Sequence, residues 1–365
     1  MTVVQLINST AARGGEIFAC LLARELKEIG CQSEVVAAAG SGSKLRDRTG
    51  ANIAIAKQRR GRLLKIFSAY VTAKRLVKEL SQTEQPIIIQ ANIGDTLWVA
   101  IFFKLTTRRR VKVVYRNANM MSLFFRGSRV KAFLYQVAFK NVDAVASVSH
   151  SCARDMAEMG LVSENRLYVI ENGLPIGQIR CEDTNNLVSV RSCTVLHVGA
   201  FVPEKNHRGL ICAFAAVKKS ISQAKLLLVG DGRLRVDTEA LVASMGLEDS
   251  VEFTGSVSDI WPLLQRASVL AMPSHIEGQP GVILEAFAAG VPVVAYGVGG
   301  MPDMLADGCG FCVEHDDQEA FAAALQTVLQ RSDNQDMVER ARRRLRERHD
   351  IKVIAREFHA LYQRL

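Results

Sequence analysis

Short apolar runs bounded by turn residues alternate with helix-period stretches along almost the whole chain, in two series separated by a polar break. Strand-length runs that alternate with helical patterns specify βαβ units and a mostly parallel sheet. The first series predicts strands at Val3–Ile7, Ser33–Ala37, Pro86–Ile89, Val111–Tyr115, Ala144–Val148 and Leu167–Ile170, with a helix over Glu16–Ile29 stopped by Gly30. Residues 175–192 are polar and aperiodic, which reads as a linker. The second series predicts strands at Thr194–Val198, Lys225–Val229, Val251–Phe253, Val269–Ala271, Val293–Ala295 and Phe311–Val313, then helix over Asp317–Gln330 and Gln335–Leu365. The expectation is an α/β chain of two tandem Rossmann-like domains with a ligand cleft between them. Residues 1–177 form the first and 178–349 the second, and a C-terminal helix at about 350–365 packs back on the first.

A chain of 365 residues exceeds the roughly 250 to 300 at which one core stops growing, which agrees with two domains. The densest apolar run, Leu97–Phe103, falls far short of the ~20 residues of a membrane span. Met1–Ile7 reads as a strand and not as a secretory leader, so a cytoplasmic protein is expected. Its eight irregularly spaced cysteines are then expected as reduced thiols. Cys309-Gly310-Phe311-Cys312 reads as a glycine turn entering a strand in preference to a redox pair. The net charge of +9 is unevenly shared: residues 1–180 hold 27 Lys and Arg against 13 Asp and Glu, and the remainder 19 against 24. That asymmetry, with clusters such as Arg59-Arg60-Gly61-Arg62 and Arg108-Arg109-Arg110, suggests an anionic partner for the first half, such as a membrane surface, a lipid-linked phosphate or nucleic acid. Nucleic acid is disfavoured because no aromatic platform motif accompanies the charge.

Three local features of the second series carry chemistry. The strongest is Ser274-His275-Ile276-Glu277-Gly278-Gln279-Pro280-Gly281-Val282-Ile283-Leu284-Glu285-Ala286. Pro280 suits the first turn of a helix, where its missing N–H is not needed, and Gly281 lets a ligand approach the backbone. Such a helix start offers N–H groups and a positive dipole end to an anion, a seat for a diphosphate. Glu277 lies before that seat and Glu285 about one and a half turns inside it, so each carboxylate can bind neutral hydroxyls at opposite ends of one molecule. Gly230-Asp231-Gly232 leaves the carboxyl edge of a strand, where such folds bind ligands, although an ordinary αL turn explains it as well. Lys205, in the loop after the first strand of this series, can offer a point charge to a phosphate.

The glutamate segment resembles the paired-glutamate motif of the retaining glycosyltransferases of family four, which have the GT-B fold. The resemblance runs on through Val195–Gly199, Pro203-Glu204-Lys205-Asn206, Leu227–Gly232, Val251–Gly255, Gly290–Ala295 and Gly299-Gly300-Met301-Pro302-Asp303. In the first half, Gly14-Gly15 looks like the family's phosphate-facing glycine loop, and Val169–Gly173 like its segment before the linker. By position, the resemblance implies that Glu277 lies against the donor sugar and Glu285 binds the ribose hydroxyls. Lys205 would hold the diphosphate, Gly14 and Gly15 would approach it from the first domain, and Gly230 and Gly232 would lie near the nucleotide. It implies transfer of a sugar from a nucleoside diphosphate to a saccharide or lipid-linked saccharide with retained configuration, in cell-surface polysaccharide or glycoconjugate synthesis. UDP-sugars come first and GDP-mannose second by family frequency. A peripheral contact with anionic membrane is compatible with the basic half. No cofactor or metal is expected, since Lys205 and the amides of Gly281 and Val282 would stabilise the departing diphosphate.

Two departures from the family pattern stand out. Ala200 follows Gly199 where relatives commonly have Arg, leaving Arg208 and Arg233 as candidate substitutes. Where many relatives end a first-domain strand with a catalytic His, this chain has Tyr115-Arg116-Asn117-Ala118-Asn119, so Arg116 or Asn117 is expected to take the acceptor-side role. His150 reads as a surface or locally hydrogen-bonded side chain, and His197 and His275 as packed or satisfied by neighbours, without zinc-ligand spacing. The alternatives are a nucleoside-diphosphate-sugar epimerase of the same fold and a non-catalytic basic binding protein, which leaves the Glu277–Glu285 segment without a purpose. A nicotinamide enzyme is disfavoured because Thr10–Gly15 lacks the Gly-x-Gly-x-x-Gly loop.

Overall fold

The computed structural model describes all residues except 12–13, 41–43, 59–60, 81–85, 93, 108–109, 126, 179–192 and 332, and the side chains of 44, 47, 48 and 178. The linker expected over 175–192 therefore lies outside the described residues from 179 onward, as do Arg59, Arg60, Arg108 and Arg109 of the basic clusters. The chain divides into two compact units, Met1–Pro175 with His349–Leu365, and Ile176–Arg348.

The first unit holds seven strands: β1 (Thr2–Ile7), β2 (Gln32–Ala37), β3 (Ile53–Ile55), β4 (Ile87–Ala91), β5 (Val111–Asn117), β6 (Ala144–Ser147) and β7 (Leu167–Val169). They pair in parallel in the order β3-β2-β1-β4-β5-β6-β7. Every residue of β1 and β4 is buried, as expected for strands covered by helices on both faces, and this is why they read as continuous apolar runs. β3 escapes the sequence pattern because it is a three-residue edge strand with one exposed end. The second unit holds β8 (Thr194–Val198), β9 (Lys225–Val229), β10 (Val251–Gly255), β11 (Val269–Met272), β12 (Val293–Tyr296) and β13 (Phe311–Val313) in the order β10-β9-β8-β11-β12-β13. Both sheets are doubly wound, with the strand order reversing at β1/β4 and at β8/β11, and the carboxyl ends at such a reversal are where these folds take ligands.

The expected helix over Gln335–Leu365 is two helices, Gln335–Arg348 and Ile351–Gln363. Asp350 breaks them apart, because its side chain caps the second helix by accepting from the Lys352 N–H at 2.9 Å. The second helix belongs to the first unit, where Ile354, Phe358 and Tyr362 join a core with Val3, Phe18 and Leu22. Fully burying a side chain such as Phe358 is worth ~2–3 kcal/mol. The segment before it is held by a bridge between Leu174 and Asp350, with Leu174 donating to the His349 carbonyl at 2.9 Å. Among the described residues no helix is long and apolar enough to cross a membrane.

Candidate active site

In the second unit the chemistry collects at the β8/β11 reversal. The loop after β8 runs through a short 3-10 turn, Pro203–Lys205, and ends at Asn206 in the left-handed region, whose side chain caps the helix His207–Ser220 by accepting from the Gly209 N–H at 3.0 Å. The loop after β11 is tied to it by the His275 N–H, which donates to the Glu204 carbonyl at 2.8 Å. This juxtaposition brings Lys205 and Glu277, 72 residues apart, into a direct ion pair between Nζ and Oε1, with the Glu277 side chain almost enclosed. The carboxylate that sequence reasoning assigned to hydroxyls alone therefore has a cationic partner.

Three residues beyond that pair, Pro280 occupies the N-cap and the helix Gly281–Ala289 begins, so the proline sits one position earlier than the sequence suggested. The first bond back onto this turn comes from the Ile283 N–H to the Pro280 carbonyl at 3.2 Å, which leaves the Gly281 and Val282 amides ahead of it. A Cβ added at Gly281 would meet nothing within 4 Å, so the space over this helix start is open. Glu285 is the fifth residue of the helix, just over one turn in, and is half-buried. The helix closes at Gly290, which adopts the left-handed conformation its C-cap requires (φ +66°). Gly299 packs so tightly on the glutamate loop that a Cβ there would lie 1.9 Å from the Glu277 carbonyl oxygen.

The Gly230–Gly232 turn is held for a different reason from the αL turn considered above. At φ +137°, Gly230 would bring a Cβ to 2.0 Å from the Gly199 carbonyl oxygen, and Gly232 would bring one to 2.7 Å from the Phe201 oxygen. Two loops are laced backbone to backbone here, with Phe201 N–H donating to Asp231 and Leu234 N–H donating to Phe201, both at 3.0 Å. Ala200 is exposed in the first of these loops, and Arg208 and Arg233 are exposed nearby in sequence.

Beneath the Lys205 loop lies a column of rings that the sequence did not reveal. His207 stacks on Phe201 at 4.0 Å and meets His197 edge-on at 4.8 Å. His197 is fully buried, with Nδ1 2.8 Å from the Ala271 carbonyl across the β8/β11 reversal. Burial, then the neighbouring His207, push His197 down to about 3 against the pull of that backbone bond, and burial and nearby Lys205 push His207 down to about 4. Both rings are neutral near pH 7 and add no charge beside Lys205.

In the first unit, Gly14 and Gly15 open the helix Gly14–Glu28 after β1, and Arg116 and Asn117 end β5. Asn117 is enclosed, and its amide donates to the Cys152 carbonyl at 3.2 Å, which gives it a structural task. Arg116 is also buried, donating from Nη2 to the Asn172 side chain and lying 4.0 Å over the Phe18 ring. Burial pulls its guanidinium down to about 10, partly offset by Tyr115 and Glu16. Its Nε and Nη1 have no hydrogen-bond partner among the described residues, so this cation keeps unused donors.

His275, His315 and Asp316 converge at the surface, His275 Nδ1 lying 3.0 Å from His315 Nε2 and 3.2 Å from Asp316 Oδ1. His275 is thus satisfied by neighbours that lie about 40 residues on, which the sequence did not identify. Cys309 is buried and Cys312 exposed, and both are free thiols.

Comparison with known proteins fits this arrangement. The family model for glycosyl transferases group 1 matches residues 184–344, and that for glycosyltransferase family 4 matches residues 12–178. The lipopolysaccharide core biosynthesis glycosyltransferase LpsE of Rhizobium meliloti is 28% identical over 319 residues, 87% of this chain and 85% of that protein. N-acetyl-alpha-D-glucosaminyl L-malate synthase of Bacillus anthracis is 29% identical over 237 residues, 63% of this chain and 61% of that protein, so this chain spans less than two thirds of that relative. Anabaena HepE, solved in complex with UDP-glucose, superposes with a TM-score of 0.84 at 21% identity, covering 100% of each chain. Sequence and fold together establish that the chain belongs to glycosyltransferase family 4, with the GT-B fold of two Rossmann-like domains.

Proposed function

We propose that this chain transfers a sugar, with retained anomeric configuration and without a metal ion, from a UDP-sugar to a saccharide or lipid-linked saccharide acceptor. The observation that carries the reading is the Lys205–Glu277 pair beside the open helix start at Gly281. A diphosphate seated on the Gly281 and Val282 amides draws Lys205 to itself, since two phosphate charges outcompete one carboxylate. Glu277 is thereby released to accept hydrogen bonds from the sugar hydroxyls. Glu285, one turn further in, takes the ribose. As the bond from the anomeric carbon to the diphosphate oxygen breaks, the amides and Lys205 stabilise the charge left on the diphosphate, the part a metal plays elsewhere. Gly14 and Gly15 approach the phosphates from the first domain, and Arg116, with its unused donors, serves the acceptor side.

The UDP preference is supported by HepE, which binds UDP-glucose, with GDP-mannose second on family frequency. A cell-surface acceptor is supported by LpsE and by a Campylobacter jejuni relative, named as acting on a diphospho-undecaprenol-linked sugar, that is 26% identical over 223 residues. The test is thermal stabilisation by a panel of nucleoside diphosphates and their sugars, followed by incubation with donor alone. UDP is expected to stabilise wild type, and Lys205→Ala to lose most of that response. Stabilisation of both proteins alike would remove Lys205 from the seat. Interconversion of donor sugars without acceptor would favour the epimerase.

A further inference from the structure

We infer that His275, His315 and Asp316 form a surface site for one divalent transition ion of the zinc class, apart from the groups that move the sugar. The three residues come from two loops of the second unit: His275 follows β11, and His315 and Asp316 follow β13. β11, β12 and β13 are adjacent and parallel, so both loops leave the carboxyl edge of one sheet with β12 between them. Tyr296, the buried last residue of β12, meets the His315 ring nearly perpendicular at 5.9 Å and supports it from within. The sheet makes the site and no short motif announces it, since the two histidines are 40 positions apart.

The spacing of the three side chains is that of ligands around an ion. His275 Nδ1 lies 3.0 Å from His315 Nε2 and 3.2 Å from Asp316 Oδ1, and one ligand atom from each residue lies within 4.8 Å of the other two. Ligands ~2.1 Å from a metal are ~3.0 Å apart at an octahedral angle and ~3.4 Å apart at a tetrahedral one. Two edges of the triangle therefore stand at coordination distance, and a small turn of the exposed Asp316 side chain closes the third.

A proton serves this cluster less well than an ion does. His275 Nδ1 faces a ring nitrogen and a carboxylate oxygen at once, and its one N–H can be directed at only one of them. A metal ion accepts a lone pair from all three residues together. His315 turns its other nitrogen, Nδ1, toward Asp316 Oδ2 at 3.7 Å, which favours the proton on Nδ1 and leaves Nε2 free to coordinate. Two imidazoles with one carboxylate suit zinc, nickel or copper, whereas magnesium and calcium take oxygen ligands.

The bound ion fastens the loop that carries Glu277 to the loop after β13. The first of these is already fixed by the His275 N–H bond to Glu204 and by its contact with Gly299, so the ion adds stability and leaves the transfer rate as it is. None of Lys205, Glu277, Gly281 and Glu285 is a ligand, and the inference can fail without the transferase reading failing.

The experiment is titration of the full chain, stripped by chelator, with Zn2+, followed by calorimetry and thermal melting. One Zn2+ per chain is expected, because no second such trio occurs among the described residues. Saturating Zn2+ should raise the thermal midpoint by ~3 °C or more. His315→Ala and Asp316→Asn should each bind Zn2+ at least ~10-fold more weakly. Asparagine also tolerates the left-handed backbone that Asp316 adopts (φ +66°). Both variants should keep the zinc-free midpoint and the UDP response, which shows that weaker binding is not misfolding. Cys312→Ser, which removes the exposed thiol of β13, should bind as the parent does. Zinc binding that survives His315→Ala, that is lost with Cys312→Ser or that Mg2+ matches would overturn the proposal, as would a midpoint that Zn2+ fails to raise.

Discussion

Acidification should weaken the second unit through the two buried histidines beneath the Lys205 loop. An unfolded histidine titrates near ~6.5, whereas the fold holds His197 at about 3 and His207 at about 4. Below pH 6.5 the unfolded state takes up protons that the folded state refuses, so stability is lost as pH falls and the loss ends only near the folded values. The slope is ~1.4 kcal/mol per pH unit for each ring. Between pH 7 and pH 5 this integrates to about 2 kcal/mol per ring and about 4 kcal/mol for the pair. The chain has two tryptophans, Trp98 in the first unit and Trp261 in the second, so a Trp98→Phe background leaves a fluorescence reporter for the second unit alone. Urea unfolding of that protein at several pH values gives the slope. His207→Phe is the perturbation: neither ring nitrogen of His207 has a partner among the described residues, and phenylalanine keeps the stack on Phe201. It should leave the protein as stable or about 1 kcal/mol more stable at pH 7, and should cut the acid-linked loss by about half. Other titrating groups cancel in the comparison. If both proteins lose stability in parallel from pH 7 to pH 5, the histidines are not the linked groups.

Three further outcomes are expected. Gly230→Ala should destabilise the second unit by about 3 kcal/mol or more, because its Cβ would lie 2.0 Å from the Gly199 carbonyl oxygen. Gly281→Ala, in open space, should shift the same urea transition by under ~1 kcal/mol while weakening UDP binding in calorimetry. Arg116→Met keeps an unbranched side chain of similar reach beside Phe18 but removes the buried guanidinium that lies over its ring, so UDP affinity should persist while transfer to acceptor falls at least ~10-fold; unchanged transfer would confine Arg116 to a structural role. Exhaustive chelation should leave transfer rate unchanged, and recovery only on adding a divalent ion would refute the metal-free reading.

How far the sequence reaches depends on whether a signal is local. Strands such as β8 and β9 match their expected limits, because a strand buried on both faces has to be a continuous apolar run. The helix start after Pro280 was equally legible, since it is set by a few neighbouring residues. The helix break at Asp350 was not, because Arg340–Arg348 and Ile351–Gln363 share a helical period and the break is fixed by capping and by the bridge to Leu174.

Sequence alone therefore determined the two doubly wound units, the glycine turns and the helix start open to an anion, all consequences of backbone geometry and short-range periodicity. Tertiary structure decided which distant groups meet. It set Lys205 against Glu277, placed two neutral histidines under that pair and left Arg116 with spare donors. It also decided which apolar side is the inside. Periodicity on Arg129–Phe139 supports two apolar stripes, and only packing against Trp98 and the sheet turns Tyr135 and Phe139 inward and leaves Val130 and Phe133 facing water. Hydrophobic patterning states that a side must be covered, while the neighbours available in three dimensions decide what covers it.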